Sequence, residues 1–539
     1  MAIQKLLVAN RGEIAVRVFR ACRGLAIRTV AVTAPDDRRS LHARVADETG
    51  EVASYLDSEE HIRVAKTRGA DAIHPGYGFL AESPQFAAAV EAAGLTFVGP
   101  TAEALRLGGD KLEAKRIAQR SGVPVVPTGE PEEIGYPLMI KAAAGGGGRG
   151  MRIVREPAEL NDAVDAARRE AEAAFGDDRV FFERYVERPR HVEIQLLGDG
   201  VGRVIALGER ECSIQRRHQK VLEESPSTAL DPSLRAAMSE AAVRFAEAIG
   251  YRSAGTAEFM LADRDFYLLE LNGRIQVEHP VTELVTGVDL VAEQLRIASG
   301  DPLDLDVSMD GHAVEVRLYA EDPRTFLPQA GRIERLILPR GVRVDAGVEK
   351  GDEVGVAYDP MIAKLIAHGP TRDEAFARLR DALAETEVLG VTTNLPFLRW
   401  LVVHPAVLAG RTTTAFLTDH PPLSELPLRL PSGPWDGAWR LNLPSPAPHS
   451  PPDVDAAAHG SRAGEGAEQS TLTAPMPGTV IRVLAKEGER VAHRQPLLVL
   501  EAMKMETPLV SPYDATVKAV HVSEGERVAG GALLVELEE

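Results

Sequence analysis

Along the first hundred residues, apolar positions switch between short continuous runs and a period near 3.6. Residues 5–10 form an apolar run, and 12–23 follow with Ile14, Val18 and Cys22 at helical spacing. Runs at 29–33, 72–74 and 96–98 predict further strands, with a helix over 84–93. This alternation predicts a doubly wound α/β domain with a parallel sheet. The loop His74-Pro-Gly-Tyr-Gly-Phe79 lies at a strand end, where such sheets place ligands. From about residue 124 hairpin strands alternate with helices, an α+β pattern. A third segment, 311–417, mixes strands with one helix expected over 372–389.

The pattern then breaks. Residues 421–470 hold ten of the chain's 36 prolines and read as a linker, partly stiff and partly flexible. Trp435 and Trp439 within it suggest that its first half, around 423–443, packs against a partner. Beyond it, 479–491 returns 37 positions later as 516–528, with eight of thirteen residues identical. Two such strand-turn-strand copies predict a small all-β sandwich or flattened barrel with a pseudo-two-fold axis. Ala502-Met-Lys-Met505 falls between the copies, at a hairpin where Lys504 can point outwards.

Length and composition bound the function. A chain of 539 residues corresponds to roughly three to four domains. With 61 basic and 80 acidic residues the net charge is −19, which argues against nucleic-acid or anionic-membrane binding while leaving room for a local basic pocket. Cys22 and Cys212 cannot build a disulfide framework or a Cys-rich zinc site. No apolar run approaches the roughly 20 residues of a membrane span, and the first residues do not read as a signal peptide. A cytoplasmic protein is expected.

The richest chemistry lies in Glu270-Leu-Asn-Gly-Arg-Ile-Gln-Val-Glu-His279. If extended, it places Glu270, Asn272, Arg274, Gln276 and Glu278 on one face. A hairpin closed by a three-residue loop at 263–265 pairs Glu258 with Glu270. A divalent cation would relieve that repulsion, and two carboxylates with an amide oxygen suit Mg2+ or Mn2+. The alternative is a polar, solvent-facing side of a hairpin. Gly145, Gly146, Gly147 and Gly148 lie between two predicted strands, 137–143 and 151–155, so this is a hairpin tip able to fold over phosphates, with Lys141 alongside, or else a surface turn. The basic cluster 216–220 is either a solvated face or an anion pocket. For Lys111, Lys115 and Arg116 an exposed helix face is the default.

These residues resemble a known family. Ala502-Met-Lys-Met505, preceded by Ala474-Pro-Met-Pro-Gly478, resembles the biotinylation site of biotin carboxyl carrier domains. Ala9-Asn-Arg-Gly-Glu-Ile-Ala15, His74-Pro-Gly-Tyr-Gly-Phe79, Gln215-Arg-Arg-His-Gln-Lys220 and Arg274-Ile-Gln-Val-Glu-His-Pro280 resemble biotin carboxylase, an ATP-grasp enzyme, over residues 1 to about 445. The whole is similar to the biotin-containing α subunits of bacterial acyl-CoA carboxylases.

The resemblance implies an N-terminal domain over 1–112, an ATP-grasp domain over 113–310, a C-terminal carboxylase domain over 311–420, the linker 421–470 and a biotinyl domain over 471–539. It implies ATP binding by Lys111, Lys141, the Gly145–Gly148 run, His191, Gln215 and His218, with Glu183, Arg184, Tyr185 and Val186 as the adenine-side hinge. Glu258, Glu270 and Asn272 would hold Mg2+ or Mn2+. Lys220, Arg274, Gln276 and Val277 would bind bicarbonate, with Glu278 as the base. Bicarbonate would attack the γ-phosphate to give carboxyphosphate, and Arg343 would stabilise the biotin enolate. Carboxybiotin on Lys504 would then travel to a separate carboxyltransferase β subunit within a hetero-oligomer. A biotin protein ligase would attach the cofactor. Two departures stand out: Gly273 replaces a usually larger residue, and the linker is too short for the folded docking domain of larger α subunits. The competing readings are an inactive carrier subunit, an ATP-grasp ligase with a lipoyl-type carrier, and a pyruvate- or methylcrotonyl-type carboxylase.

Overall fold

A computed structural model of the chain describes residues 2–142, 151–175, 178–216, 219–355, 357–422, 471–474, 478–493, 495–502, 505–528 and 531–538. The chain divides into two compact units, one drawn from residues 1–421 and one built on 471–538.

In the first unit, strands β1 (Lys5–Val8), β2 (Arg28–Thr33), β3 (Glu48–Glu51), β4 (Ala72–His74) and β5 (Thr96–Phe97) form a parallel sheet in the order β3-β2-β1-β4-β5. All four residues of β1 are buried, as expected where helices cover both faces of a sheet. Helix Gly12–Gly24 follows β1 directly and buries Ile14, Val18 and Cys22. β3 escapes sequence reading because its residues, Glu-Thr-Gly-Glu, carry no apolar run.

Strands β6 (Leu138–Ala142), β7 (Arg152–Val154) and β8 (Val180–Arg184) make a small sheet in the order β7-β6-β8. β6 and β7 are the two arms of the predicted glycine hairpin. A larger sheet carries β9 (Arg190–Asp199), β10 (Val204–Arg216), β11 (Gln219–Ser225), β12 (Arg252–Ala262), β13 (Asp265–Asn272) and β14 (His312–Tyr319). Two short pairs, β15 (Gly331–Arg332) with β18 (Glu353–Val354) and β16 (Arg335–Ile337) with β20 (Glu387–Leu389), form sheets of their own, while β17 (Arg343–Ala346) and β19 (Met361–Gly369) extend the large one. Its order is β13-β12-β9-β10-β11-β14-β19-β17, so one sheet runs through the expected boundary at residue 310. The helix expected over 372–389 stops at Glu385, and 387–389 form β20 against β16 instead. The β-branched Thr386 ends the helix, its backbone extended.

The second unit holds β21 (Thr471–Thr473), β22 (Gly478–Val483), β23 (Arg490–Val491), β24 (Pro496–Ala502), β25 (Met505–Val510), β26 (Ala515–Val520), β27 (Arg527–Val528) and β28 (Leu533–Glu538). They form two four-stranded sheets, β21-β28-β26-β23 and β25-β24-β22-β27. The repeat copies exchange strands: β22 of the first pairs with β27 of the second, and β26 of the second with β23 of the first. Val480, Leu498, Val517 and Val535 bring both sheets into one core. Among the described residues no helix is long and apolar enough to cross a membrane.

Candidate active site

The large sheet has a charged inner face. On β9, alternation turns His191, Glu193 and Gln195 to one side, and Glu193 and Gln195 are fully buried. Arg210 of β10, also fully buried, donates to Glu193, to Gln195 at 2.6 Å, to Thr282 at 2.9 Å and to Thr256 at 3.1 Å. Lys220 of β11 donates to three carboxylates: Glu193 at 2.5 Å, Glu278 at 2.6 Å and Glu258 at 2.8 Å. Burial opposes the charge on Lys220, but these acids outweigh it and raise the ammonium well above its ordinary value. Arg317 of β14 donates to the other oxygen of Glu278 at 3.0 Å and to Glu223 at 2.7 Å. Burial pushes Glu278 up, yet Lys220, Arg317 and Arg210 together hold it well below the usual carboxylate range.

Glu258 stands directly opposite Glu270, as the sequence predicts, but by a different route. The turn is the two-residue Asp263-Arg264, with Asp263 at φ 53°, since Ala262 already pairs with Asp265. A bulge at Leu269 restores the register, because Phe259 pairs with Leu268 while Glu258 pairs with Glu270. Desolvation and the facing Glu258 raise the Glu270 carboxyl. Asn272 follows two positions on, accepting from Arg274 at 2.7 Å while its buried Nδ2 has no partner among the described residues. Two opposed carboxylates and an amide fit a hard divalent cation, which would relieve the repulsion that raises Glu270.

The extended row does not continue to Glu278. β13 ends at Asn272, residues 273–278 turn, and Glu278 sits at the N-terminus of helix His279–Thr286. The polar side chains converge all the same. Arg274 reaches Glu82 at 3.0 Å and Gln276 at 3.3 Å, and Gln276 donates to Glu258 at 3.1 Å. A Cβ on Gly273 would fall 2.6 Å from Leu105 Cδ2, so the small residue fits a close approach. Lys364, fully buried, donates to the Val277 carbonyl at 2.7 Å.

A second cluster lies where β6 and β8 meet. Lys141 contacts Glu183 at 2.5 Å, and Lys115 also pairs with Glu183. Lys115 is therefore not part of a solvated helix face, which corrects the default reading. Burial and like-charge neighbours hold Lys115 and Lys141 down to about 8. Lys111 is exposed at the start of helix Lys111–Arg120. Arg184 ends β8, and Tyr185 and Val186 begin the 185–189 link to β9 of the larger sheet, which suits a hinge. His191 Nε2 lies 3.2 Å from Glu258, and Gln215 turns back to donate to the Cys212 carbonyl at 3.0 Å. Arg343 is held by Glu283 at 2.7 Å and Asp345 at 2.7 Å. Gly145 to Gly148, His218, Trp435, Trp439 and Lys504 lie outside the described residues.

Glu82, Glu193, Arg210, Arg317 and Lys115 were not singled out as site residues by sequence. For Glu193 and Arg317 a signal existed: both stand in strands alternating polar and apolar side chains, His191-Val-Glu-Ile-Gln195 and Glu315-Val-Arg317.

Comparison with known proteins places this geometry. Residues 2–105 match the family described as biotin carboxylase, N-terminal domain, and 315–419 its C-terminal domain. Residues 110–306 match the ATP binding domain of the carbamoyl-phosphate synthase L chain, and 470–537 match the biotin-requiring enzyme family. The biotin carboxylase of Pseudomonas aeruginosa is 48% identical over 439 residues, covering 77% of this chain and 98% of that protein. The propionyl-CoA carboxylase alpha chain of Ruegeria pomeroyi is 46% identical over 463 residues, covering 78% of this chain and 68% of its own. The biotin carboxylase domain of Hydrogenobacter thermophilus 2-oxoglutarate carboxylase, solved with MgADP, ADP and bicarbonate, aligns with a TM-score of 0.74 at 44% identity, covering 78% of this chain and 98% of that one. The chain belongs to the biotin carboxylase family, with its ATP-dependent carboxylase portion and a biotin-requiring domain in one polypeptide.

Proposed function

We propose that this chain carboxylates biotin carried on its own Lys504 and delivers the carboxyl group to an acyl-CoA through a separate carboxyltransferase subunit. The carboxylase reading is carried by one observation: Glu278 is fully buried and held between Lys220 at 2.6 Å and Arg317 at 3.0 Å, close to the converging Arg274 and Gln276 side chains. Lys220, Arg274, Gln276 and the Val277 backbone bind bicarbonate. Glu278 takes its proton, and the resulting oxygen attacks the γ-phosphorus as the bond to ADP breaks. The carboxyphosphate formed separates into CO2 and phosphate, and that phosphate accepts the proton of the acceptor nitrogen.

Lys111, Lys115, Lys141, His191, Gln215, His218 and Gly145 to Gly148 hold the nucleotide, with 183–186 as the adenine-side hinge. Mg2+ or Mn2+ held by Glu258, Glu270 and Asn272 offsets phosphate charge. Biotin on Lys504 supplies the ureido nitrogen that takes up the carboxyl group. Arg343, fixed by Glu283 and Asp345, would present its guanidinium to the ureido oxygen of bound biotin. The same reading divides the chain at 112, 310, 420 and 470.

The acyl-CoA acceptor rests on the likeness to the Ruegeria pomeroyi chain. Residues 423–443, with Trp435 and Trp439, would dock the β subunit. ATP hydrolysis by the purified chain with free biotin should require bicarbonate. Hydrolysis indifferent to bicarbonate would overturn the carboxylase reading. Co-purification of a β subunit followed by a panel of acyl-CoAs and pyruvate tests the acceptor, and carboxylation of pyruvate alone would refute that part.

A further inference from the structure

A carboxylate held as low as Glu278 is ionised but weakly basic, so something must moderate the cations around it. Behind Arg317 lie two more acids. Glu223 of β11 and Glu315 of β14 are directly paired across neighbouring strands, and both are fully buried. Arg317 uses one oxygen of Glu223; among the described residues Glu223 Oε2 has no hydrogen-bond partner, and neither oxygen of Glu315 has one. Cβ atoms of directly opposed residues lie roughly 4.5–5.5 Å apart, within reach of a carboxyl-to-carboxyl hydrogen bond.

Among the described residues, neighbouring elements offer Glu315 no salt-bridge partner. On β19, Ile366 lies opposite it, and Lys364, two pairs along and opposite Arg317, is engaged by the Val277 carbonyl, Glu13 and Asp345 of β17. Helix His279–Thr286 presents Val281 and Val285 to this face, with Glu278 and the buried His279 at its start. Lys220 of β11 is occupied by its three acids. Glu223 shares Arg317 with Glu278 and Glu315 has no cation of its own among the described residues, so two carboxylate charges here are too costly to keep; one proton between them removes the cost.

We propose that Glu223 and Glu315 share a proton and that this pair, acting through Arg317, sets the basicity of Glu278. The inference rests on the assignment of Glu278 as base. Both acids are positioning residues, since neither touches substrate. Burial, with the facing acids, pushes Glu223 up to about 7 and Glu315 well above its ordinary value, while Arg317 and the nearby lysines pull both down. Above that pH Glu223 is ionised, neutralises Arg317 and leaves Glu278 more basic. Below it Glu223 is protonated, Arg317 acts on Glu278 undiluted, and proton abstraction slows.

The test is the pH profile of bicarbonate-dependent ATP hydrolysis by the full chain with free biotin. Wild type should show a rising limb near pH 7. Glu223→Gln should lose that limb and lower kcat about tenfold, the effect of one unit of basicity, with KM for ATP unchanged. Glu315→Gln can still donate and should keep the limb in place. Glu315→Leu cannot, and should move it to higher pH. A profile that keeps one position in both Glu223→Gln and Glu315→Leu would overturn the proposal. At pH 7.5 the infrared band of a protonated carboxylic acid should disappear in Glu315→Gln, and its persistence would also refute the shared proton. If Glu278→Gln retains full activity the base assignment fails instead, while the infrared band still reports on the pair.

Discussion

Lys220 Nζ lies 2.6 Å from a carboxylate oxygen of Glu278, and the same ammonium also balances Glu193 and Glu258. One cation thus compensates three buried acids. Removing one partner of a buried ion pair costs about 3–5 kcal/mol, so Lys220→Met should lower the unfolding temperature markedly at pH 7.5. Without the ammonium Glu258 and Glu278 lose the largest charge that offsets their burial, and both carboxyls move up. Their destabilisation then acts where they must ionise and fades as pH falls and they protonate. The deficit should shrink between pH 7.5 and 5. A deficit independent of pH would show that Lys220 does not govern these acids.

Lys115 and Lys141, held at about 8 by burial and by neighbouring lysines, make nucleotide binding sensitive to pH. Below about 8 both are charged. As pH rises through 8 the free protein loses these charges, whereas bound phosphates favour them. ATP binding at pH 8.5 should therefore take up protons, seen by calorimetry in buffers of different ionisation enthalpy, and affinity should fall from pH 7 to 9. Lys115→Met should reduce the uptake.

Glu258 and Glu270 face each other across β12 and β13. Replacing Glu270 by Gln removes like charges opposed across two strands, a term of roughly 0.2–1 kcal/mol. The variant should be as stable as wild type or slightly more so in chelator, yet need more Mg2+ for half-maximal ATP hydrolysis. An unchanged Mg2+ requirement would remove Glu270 from the metal set.

Local patterns were legible where one strand's periodicity carried them. The β1–helix unit, β4, β12 and β13 follow directly from apolar spacing, whereas the Glu258–Glu270 pairing, expected from a three-residue loop, is reached by a two-residue turn and a bulge. The Leu269 bulge was invisible because Leu268-Leu269 reads equally well in either register. The turn after Asn272 was hidden because Arg274, Gln276 and Glu278 keep a period of two even though the backbone leaves the strand. Contacts between distant segments, such as Arg317 with Glu278 or Lys115 with Glu183, depend on sheet order. No local pattern states that order.

The carrier repeat shows the same limit. Its two copies were plain in sequence, but their exchange of strands was not. Because β22 and β23 of the first copy find partners in the second, a fragment of residues 471–514 should remain unfolded. The fragment 471–539 should fold, which the dispersion of amide NMR signals would report. A folded half would contradict the exchanged pairing.

The most direct test of the account follows label from bicarbonate onto the chain itself. Incubation with radiolabelled bicarbonate, ATP and Mg2+ should leave acid-labile label on the biotinylated protein. Lys504→Arg should abolish that label together with the avidin signal, and Glu278→Gln should abolish the label while the avidin signal remains. Undiminished labelling in Glu278→Gln, or label retained in Lys504→Arg, would contradict it.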